Sequence, residues 1–417
     1  MTNVYLESYG CTANKADASL ILGILKGENY KIVEKIEDAD VLIILTCTVI
    51  GTTEQRMLSR IRKLKKTGKK IIVAGCMASV QQELIKSIVP NAALLPPQNV
   101  HQIVDILEQE KVEFYQEYKT RFLKYYENVV APIAISEGCC FACSYCITSI
   151  ARGKLRSFPI DEIKDDLKSA LDQGCKEIQL TSQDTGSFGL DTGHNLGELL
   201  SKVCKIEKEF KIRVGMMNPY TAKMNLDMVI DAYKNNHIYK FLHLPVQSGD
   251  NTILGKMNRK YVVDDFLQIV KKFRRVFPYM TLSTDAIVGF PAETNEQFQH
   301  TADILEQVKP DITNITRFSA RPYTKAKSMV GRLKTEIAKE RSRKLTEICS
   351  KISENRNKEH IGKNYNALIT EKGKNNTFIG RAENYKSVVL KENVKIGDFV
   401  PVEIIDSAQT YLIGRLI

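Results

Sequence analysis

Residues 137–146 read EGCCFACSYC, with four cysteines, Cys139, Cys140, Cys143 and Cys146, inside eight positions. Cys139, Cys143 and Cys146 form C-x3-C-x2-C directly after VVAPIAI (129–135), an apolar run that reads as a strand. Three thiolates from one short loop can reach three corners of an iron–sulfur cube. The fourth iron then lacks a protein ligand and stays open to a small molecule. A structural zinc site is the alternative, but such sites generally close with four ligands, and apart from Cys140 no further Cys or His lies nearby in the sequence. Cys140 falls outside the spacing and is expected to point away from the cube as a small buried hydrophobe.

From residue 129 to about 330 the apolar runs continue through KEIQL (176–180), KIRVGM (211–216), YKFLHL (239–244), TLSTDAIVGF (281–290) and DITNITRF (311–318). Helical patterns such as DEIKDDLKSALDQG (161–174) and VDDFLQIVKKFRRVF (263–277) separate them. Six βα units are too few for an ordinary eight-stranded barrel, so the spacing predicts a partial, crescent-shaped (β/α)6 barrel. Active sites on such folds sit at the C-terminal strand ends. Gln183, Asp184, Gln247, Ser248, Asp285 and Gly289 follow or end strands and are expected to face that mouth, where a cofactor would bind. His243 sits within a strand and reads as a hydrogen-bonded core residue.

Upstream, NVYLES (3–8), DVLIIL (40–45) and KIIVA (70–74) are buried-strand patterns separated by helical ones, which predicts a doubly wound α/β domain over residues 1–110. Cys11, Cys47 and Cys76 each lie just past one of these strands. Strand ends in a doubly wound parallel sheet share one edge, the usual ligand site. Thiols 36 and 29 residues apart can therefore meet there, and together they point to a second cluster. Cys175, Cys204 and Cys349 have no such partners and read as structural. Residues 111–128, aromatic and charged without clean periodicity, read as a linker.

Residues 331–360 read as a basic helix with an apolar stripe at Leu333, Ile337, Leu345, Ile348 and Ile352. Between Lys325 and Lys363 twelve Lys or Arg stand against five Glu, which supplies most of the net charge of +11. That is either a solvated helix face or a polyanion contact, with Lys334, Lys339 and Lys344 as the contacting residues. Residues 361–417 hold five short alternating runs with Gly, Asn and Asp turns, the pattern of a small antiparallel barrel. The N-terminus lacks a signal-peptide pattern, the chain ends at GRLI without an anchor, and no apolar run is long enough to span a membrane. A cytoplasmic protein without membrane contact is expected, where ten cysteines favour metal ligation over disulfides.

Taken together, YGCTANKAD (9–17), LTCTVI (45–50), AGCM (74–77), EGCCFACSYCITSIARG (137–153), HLPVQSGDNTILGKMNRKY (243–261), TDAIVGFPAET (284–294) and RFSARPYTKAKSM (317–329) resemble the radical S-adenosylmethionine methylthiotransferases over essentially the whole chain. The resemblance implies two [4Fe–4S] clusters, on Cys139, Cys143 and Cys146 and on Cys11, Cys47 and Cys76. It implies S-adenosylmethionine in two roles, as methyl donor and as source of a 5′-deoxyadenosyl radical. It also implies a terminal RNA-binding TRAM domain, a reduced electron donor such as ferredoxin or flavodoxin, and a sulfur source. Members modify isopentenyladenosine or threonylcarbamoyladenosine in tRNA, or an aspartate of a ribosomal protein. Ala151, Arg152 and Gly153 resemble the threonylcarbamoyladenosine group, in its archaeal and eukaryotic branch. Arg152, Lys154 and Arg156 would then recognise the substrate; phosphate contact or solvated charge is the plainer reading. A non-catalytic, cluster-bearing RNA-binding protein is the rival from another class.

Overall fold

The computed structural model describes residues 1–109 and 112–417. The expected junction between the first domain and its linker, at residues 110 and 111, lies outside the described residues. In the first domain the strands are β1 (Asn3–Ser8), β2 (Lys31–Val33), β3 (Val41–Thr46), β4 (Lys70–Gly75) and β5 (Ala93–Leu95). They form one parallel sheet in the order β2-β1-β3-β4-β5. β2 and β5, three residues each, were too short to stand out by pattern. All six residues of β3 are buried, because helices cover both faces. Helix α1 (Thr12–Gly27) leaves β1 for one edge, and α2 (Gly51–Lys65) leaves β3 for the other. The strand order reverses between β1 and β3, and in such sheets ligands bind at the strand ends beside that point.

The second sheet system contains β6 (Val130–Ala134), β7 (Ser136–Glu137), β8 (Arg156–Ser157), β9 (Glu177–Thr181), β10 (Lys211–Val214), β11 (Phe241–His243), β12 (Thr281–Val288) and β13 (Ile312–Arg317). β7 and β8 form a small antiparallel ribbon. The other six are the expected parallel strands, in two triplets, β6-β9-β10 and β11-β12-β13. The triplets meet where Ile212 donates to His237 O (2.6 Å) and accepts from Tyr239 N (3.0 Å). The result is an open crescent.

Alternation along these strands separates two environments. Ile133, Ile178, Leu180, Ile212, Leu242 and Leu282 point outward into one large core shared with the helices. Their neighbours point into the lumen, and register aligns Pro132 with Gln179, Gln179 with Arg213, and His243 with Ser283. A closed eight-stranded barrel packs its centre with branched apolar side chains. This lumen is polar instead, the composition of a binding cavity.

The segment expected as a plain linker is tied down by its cations. Lys124, 5% exposed, is ion-paired with Asp166 at 2.5 Å, and Lys119 is equally buried. The basic helix spans Thr335–Lys358, with Arg341, Leu345, Cys349 and Asn357 buried. Ile337 is exposed and does not belong to the apolar stripe expected of it. Arg341 takes the inward place on that face by pairing with Glu293 at 2.5 Å.

The terminal domain closes into a five-stranded barrel of β14 (Asn364–Lys372), β15 (Phe378–Arg381), β16 (Ser387–Leu390), β17 (Phe399–Ser407) and β18 (Leu412–Leu416). One pair, β16 with β18, is parallel. A closed ring with an odd number of strands cannot be antiparallel throughout, so this corrects the fully antiparallel expectation. No helix among the described residues is long and apolar enough to cross a membrane.

Candidate active site

The loop carrying Cys139, Cys143 and Cys146 leaves the end of β7 through Gly138. Gly138 has φ +76°, and a Cβ there would lie 1.9 Å from the Lys154 carbonyl oxygen. Only glycine lets the loop double back so closely on the segment that follows it. Cys139 N then donates to Gly153 O at 3.1 Å.

The other side of the loop rests on the turn at 256–259. Ser144 N and Oγ donate to Met257 O (3.0 Å) and Lys256 O (2.8 Å), and Asn258 Nδ2 donates to Ala142 O (2.8 Å). Arg259 Nη1 donates to Cys143 Sγ at 3.4 Å. The NRKY part of the 243–261 motif is thus a brace for the cysteine loop. Burial raises the Cys143 thiol, Arg259 opposes that shift, and Cys146 and Cys139 are near enough to add to it. Cys140 is exposed, not the buried hydrophobe expected.

Cys11, Cys47 and Cys76 follow β1, β3 and β4, three adjacent strands. A Cβ on Gly10, at φ +105°, would meet Cys47 Cβ at 2.7 Å, so the Cys11 turn lies directly against Cys47. Cys76 opens the short helix α3 (Cys76–Val80). Burial pushes its thiol up to about 11, opposed by Arg152 and reinforced by Cys11 and Cys47. Cys76 and Val80 pack on Ile147 and Ala151, within and beside the helix Thr148–Arg152 that follows Cys146. The helix opened by Cys76 therefore rests on the helix that follows Cys146.

Each group offers three spaced thiols, and beside the first lies Cys140, whose thiol is hydrogen-bonded with that of Cys139. Among the described residues no three His, Cys, Asp or Glu side chains gather around one point as a single metal ion requires. The donor set fits an iron–sulfur cluster, which spreads its thiolates over separate irons and here would keep one iron open. Gln183 Oε1 and Arg259 Nη2 are buried without partners among the described residues, as groups reserved for a ligand would be.

Arg152 is not the RNA-facing residue its position in the sequence implied. It is 3% exposed and pairs with Asp17 Oδ2 at 2.7 Å and Glu137 Oε1 at 2.6 Å. It also donates to Asn14 Oδ1 at 2.8 Å. Lys119 pairs with the same two carboxylates. Two cations and two anions thus form a closed, buried network joining α1, the linker and the cysteine loop. It explains Asn14 and Asp17 in YGCTANKAD, which sequence reasoning quoted without a role.

A second clamp lies across the mouth. Arg321, from the RFSARPYTKAKSM stretch, is 4% exposed, donates to Thr48 Oγ1 at 2.8 Å and pairs with Glu54. Lys154 is exposed, whereas Arg156 lies over the Tyr118 ring at 4.1 Å.

The expected mouth residues divide. Asp184 is buried and accepts from Asn218 N (2.9 Å), Gly186 N (3.1 Å) and Thr221 Oγ1 (2.9 Å). Burial raises its carboxyl to about 6 against those hydrogen bonds, and it lies near enough to Cys139 and Cys140 to raise their thiols in turn. Ser248 is fully buried, with its Oγ accepting from Asp250 N at 3.2 Å and turned toward Thr301. Gln247, at φ +63°, extends the β12 edge through Gln247 N to Asp285 O at 2.8 Å. Gly289 lines a cavity of about 500 Å³ with Ile50, Thr52 and Arg317.

Asp285 does face the lumen, held by His243 Nε2 at 3.1 Å and Asn314 Nδ2 at 2.7 Å. Burial pulls its carboxyl upward, but His243 and Asn314 outweigh it, and it sits below its ordinary value. His243 is thus a lumen residue, not a core one.

Residues 3–95 match the description Uncharacterized protein family UPF0004, residues 133–305 the Radical SAM superfamily, and residues 358–417 the TRAM domain. A probable threonylcarbamoyladenosine tRNA methylthiotransferase of Archaeoglobus fulgidus is 44% identical, over 99% of this chain and 98% of its own. The threonylcarbamoyladenosine tRNA methylthiotransferase of Homo sapiens is 32% identical over 99% of this chain and 73% of its own. The ribosomal protein uS12 methylthiotransferase RimO of Clostridioides difficile is 33% identical over 100% and 99%. Among solved structures, the radical S-adenosylmethionine methyltransferase TsrM of Kitasatospora setae has the same fold at TM-score 0.54 and 15% identity, over 78% of this chain and 77% of that one. With its cysteine loop at the mouth of a six-stranded crescent and full-length relatives above 30% identity, the chain belongs to the methylthiotransferase family of radical S-adenosylmethionine enzymes.

Proposed function

We propose that this enzyme converts N6-threonylcarbamoyladenosine next to the tRNA anticodon to its 2-methylthio derivative, using two [4Fe–4S] clusters. Cys139, Cys143 and Cys146 would hold one, and Cys11, Cys47 and Cys76 the other. The observation that carries the reading is the packing of α3, opened by Cys76, on the helix after Cys146. When bound, the groups supply a hydrogen-abstracting radical on one side of that contact and methylated sulfur on the other.

The chain's own residues do the positioning. Arg152 and Arg321 hold the first domain against the crescent's mouth, Arg259 steadies Cys143, and Gln183, Gln247, Asp285 and Gly289 surround the space where S-adenosylmethionine would lie. Exposed Lys154, Lys334, Lys339 and Lys344, with the terminal barrel, would contact tRNA. A reduced electron donor such as ferredoxin or flavodoxin and a sulfur source complete the requirements, and the place of action is the cytoplasm.

The names of the archaeal and human relatives favour threonylcarbamoyladenosine. The RimO relative favours, as second reading, an aspartate of a ribosomal protein. The test is anaerobic incubation with reductant, S-adenosylmethionine, sulfide and tRNA bearing either threonylcarbamoyladenosine or isopentenyladenosine, followed by nucleoside mass spectrometry. A methylthio product from the first tRNA alone is expected. Release of 5′-deoxyadenosine with neither product would overturn the tRNA reading in favour of the protein substrate.

A further inference from the structure

The turn at 382–386, between β15 and β16 of the terminal barrel, closes the bottom of the crescent. Lys240 N donates to Glu383 O at 2.7 Å, and Lys386 pairs with Asp311 at 2.8 Å. Between these anchors Tyr385 adopts φ +67°, a backbone state rare for an aromatic residue and held only when its surroundings fix it. Tyr385 Oη donates to Glu177 Oε1 at 3.0 Å, and its ring lies 4.9 Å from that of Phe241. The terminal barrel therefore builds the floor of the lumen.

Directly above this floor stands Arg213, on the inward face of β10. Its guanidinium lies 5.3 Å from the Phe241 ring and 5.9 Å from the Tyr385 ring. It borders a cavity of about 530 Å³ between the crescent and the terminal barrel, together with His243, Ser283 and Asn314. Such a volume suits a nucleoside-sized ligand. Arg213 makes no hydrogen bond or ion pair among the described residues, and its Nε is buried without a partner.

The nearby carboxylates are already engaged. Glu177 accepts from Tyr385 and Gln179, Asp285 from His243 and Asn314, and Asp311 pairs with Lys386 and Arg356. A guanidinium left unpaired beside a cavity, and against two rings packed on each other, has the geometry to bind an anionic group of a ligand in that cavity.

Resting on the proposed substrate, we propose that Arg213, set against the packed rings of Phe241 and Tyr385, reads the carboxylate of the threonylcarbamoyl group. It is a specificity-determining residue distinct from the Arg152, Lys154 and Arg156 set. The experiment compares two anticodon stem–loop RNAs, one with threonylcarbamoyladenosine and one with its methyl ester, on the cluster-loaded wild type, Arg213→Met and Arg213→Lys. Affinity is read by fluorescence anisotropy, KM and kcat by product formation.

Arg213→Met is expected to raise Kd and KM for the carboxylate RNA by roughly 10- to 100-fold, the worth of one charge-assisted pair. The ester RNA should be unaffected, and Arg213→Lys should recover part of the loss. Equal losses on both RNAs, or none on either, would overturn the role of Arg213. A wild type that does not methylthiolate the carboxylate RNA at all overturns the substrate reading itself, and this proposal with it.

Discussion

Replacing Arg152 with glutamine tests whether this residue serves the protein's interior or its RNA. Its side chain is 2% exposed and that of Asp17 is 1%; those of Lys119 and Glu137 are 4% and 9%. Removing one member of a buried ion pair costs about 3–5 kcal/mol, because the partner stays buried and unpaired. Lys119 and Asn14 remain to share the load, so the lower end, about 3 kcal/mol, is expected. At about 1.4 kcal/mol per decade this opens the contact between α1 and the cysteine loop roughly 100-fold more often.

Hydrogen exchange on the cluster-free chain should report that loss of protection in α1 and in the helix Thr148–Arg152. The neutral pair Asp17→Asn/Arg152→Gln should regain part of it, since removing one anion with one cation keeps the network balanced. Affinity for tRNA and its salt dependence should not change. Unchanged exchange together with a salt slope shallower by about one would refute the interior role and return Arg152 to phosphate contact.

Serine at Cys139, Cys143 or Cys146 should abolish reductive cleavage of S-adenosylmethionine, whereas serine at Cys11, Cys47 or Cys76 should spare cleavage and abolish sulfur insertion. Methylthiolated product from the second set would remove the two-cluster reading. Neutralising Lys334, Lys339 and Lys344 together should flatten the salt dependence of tRNA binding by up to about three units of slope, less if the Lys344 bond to Gln299 keeps that residue from the RNA. His360 is fully buried, and burial, with Lys386 and Arg356 adding, lowers it to about 4. Its unfolded form takes up a proton first, so it costs up to about 3 kcal/mol of stability as pH falls from about 6.5 to about 4. Exchange protection of β14 should fall over that window and should not do so in His360→Gln.

The strands and both cysteine groups were legible because their signals are local. C-x3-C-x2-C occupies one loop, and Cys11, Cys47 and Cys76 each end an apolar run whose parallel pairing puts strand ends on one edge. Short β2 and β5 escaped, since three residues carry too little periodicity to separate from a loop. The six mouth residues were chosen by position after strands, a rule blind to direction. Ser248 turns toward helix Asn295–Val308, and Asp184 is consumed by backbone donors and Thr221.

By itself the sequence determined the longer strands and helices, the crescent and the spacing of the thiols, which depend on residue type and position along the chain. Only the tertiary structure decided what the cations do. Arg152, Lys119 and Arg321 are indistinguishable in sequence from solvated or RNA-binding residues. Their partners Asp17, Glu137 and Glu54 lie up to 267 positions away. A charge on a flexible stem pairs with whatever carboxylate folding brings near, and in a low-dielectric interior that partner outweighs any local preference. Arg213 is the counterpart, a cation that folding has brought beside a cavity without giving it a partner among the described residues.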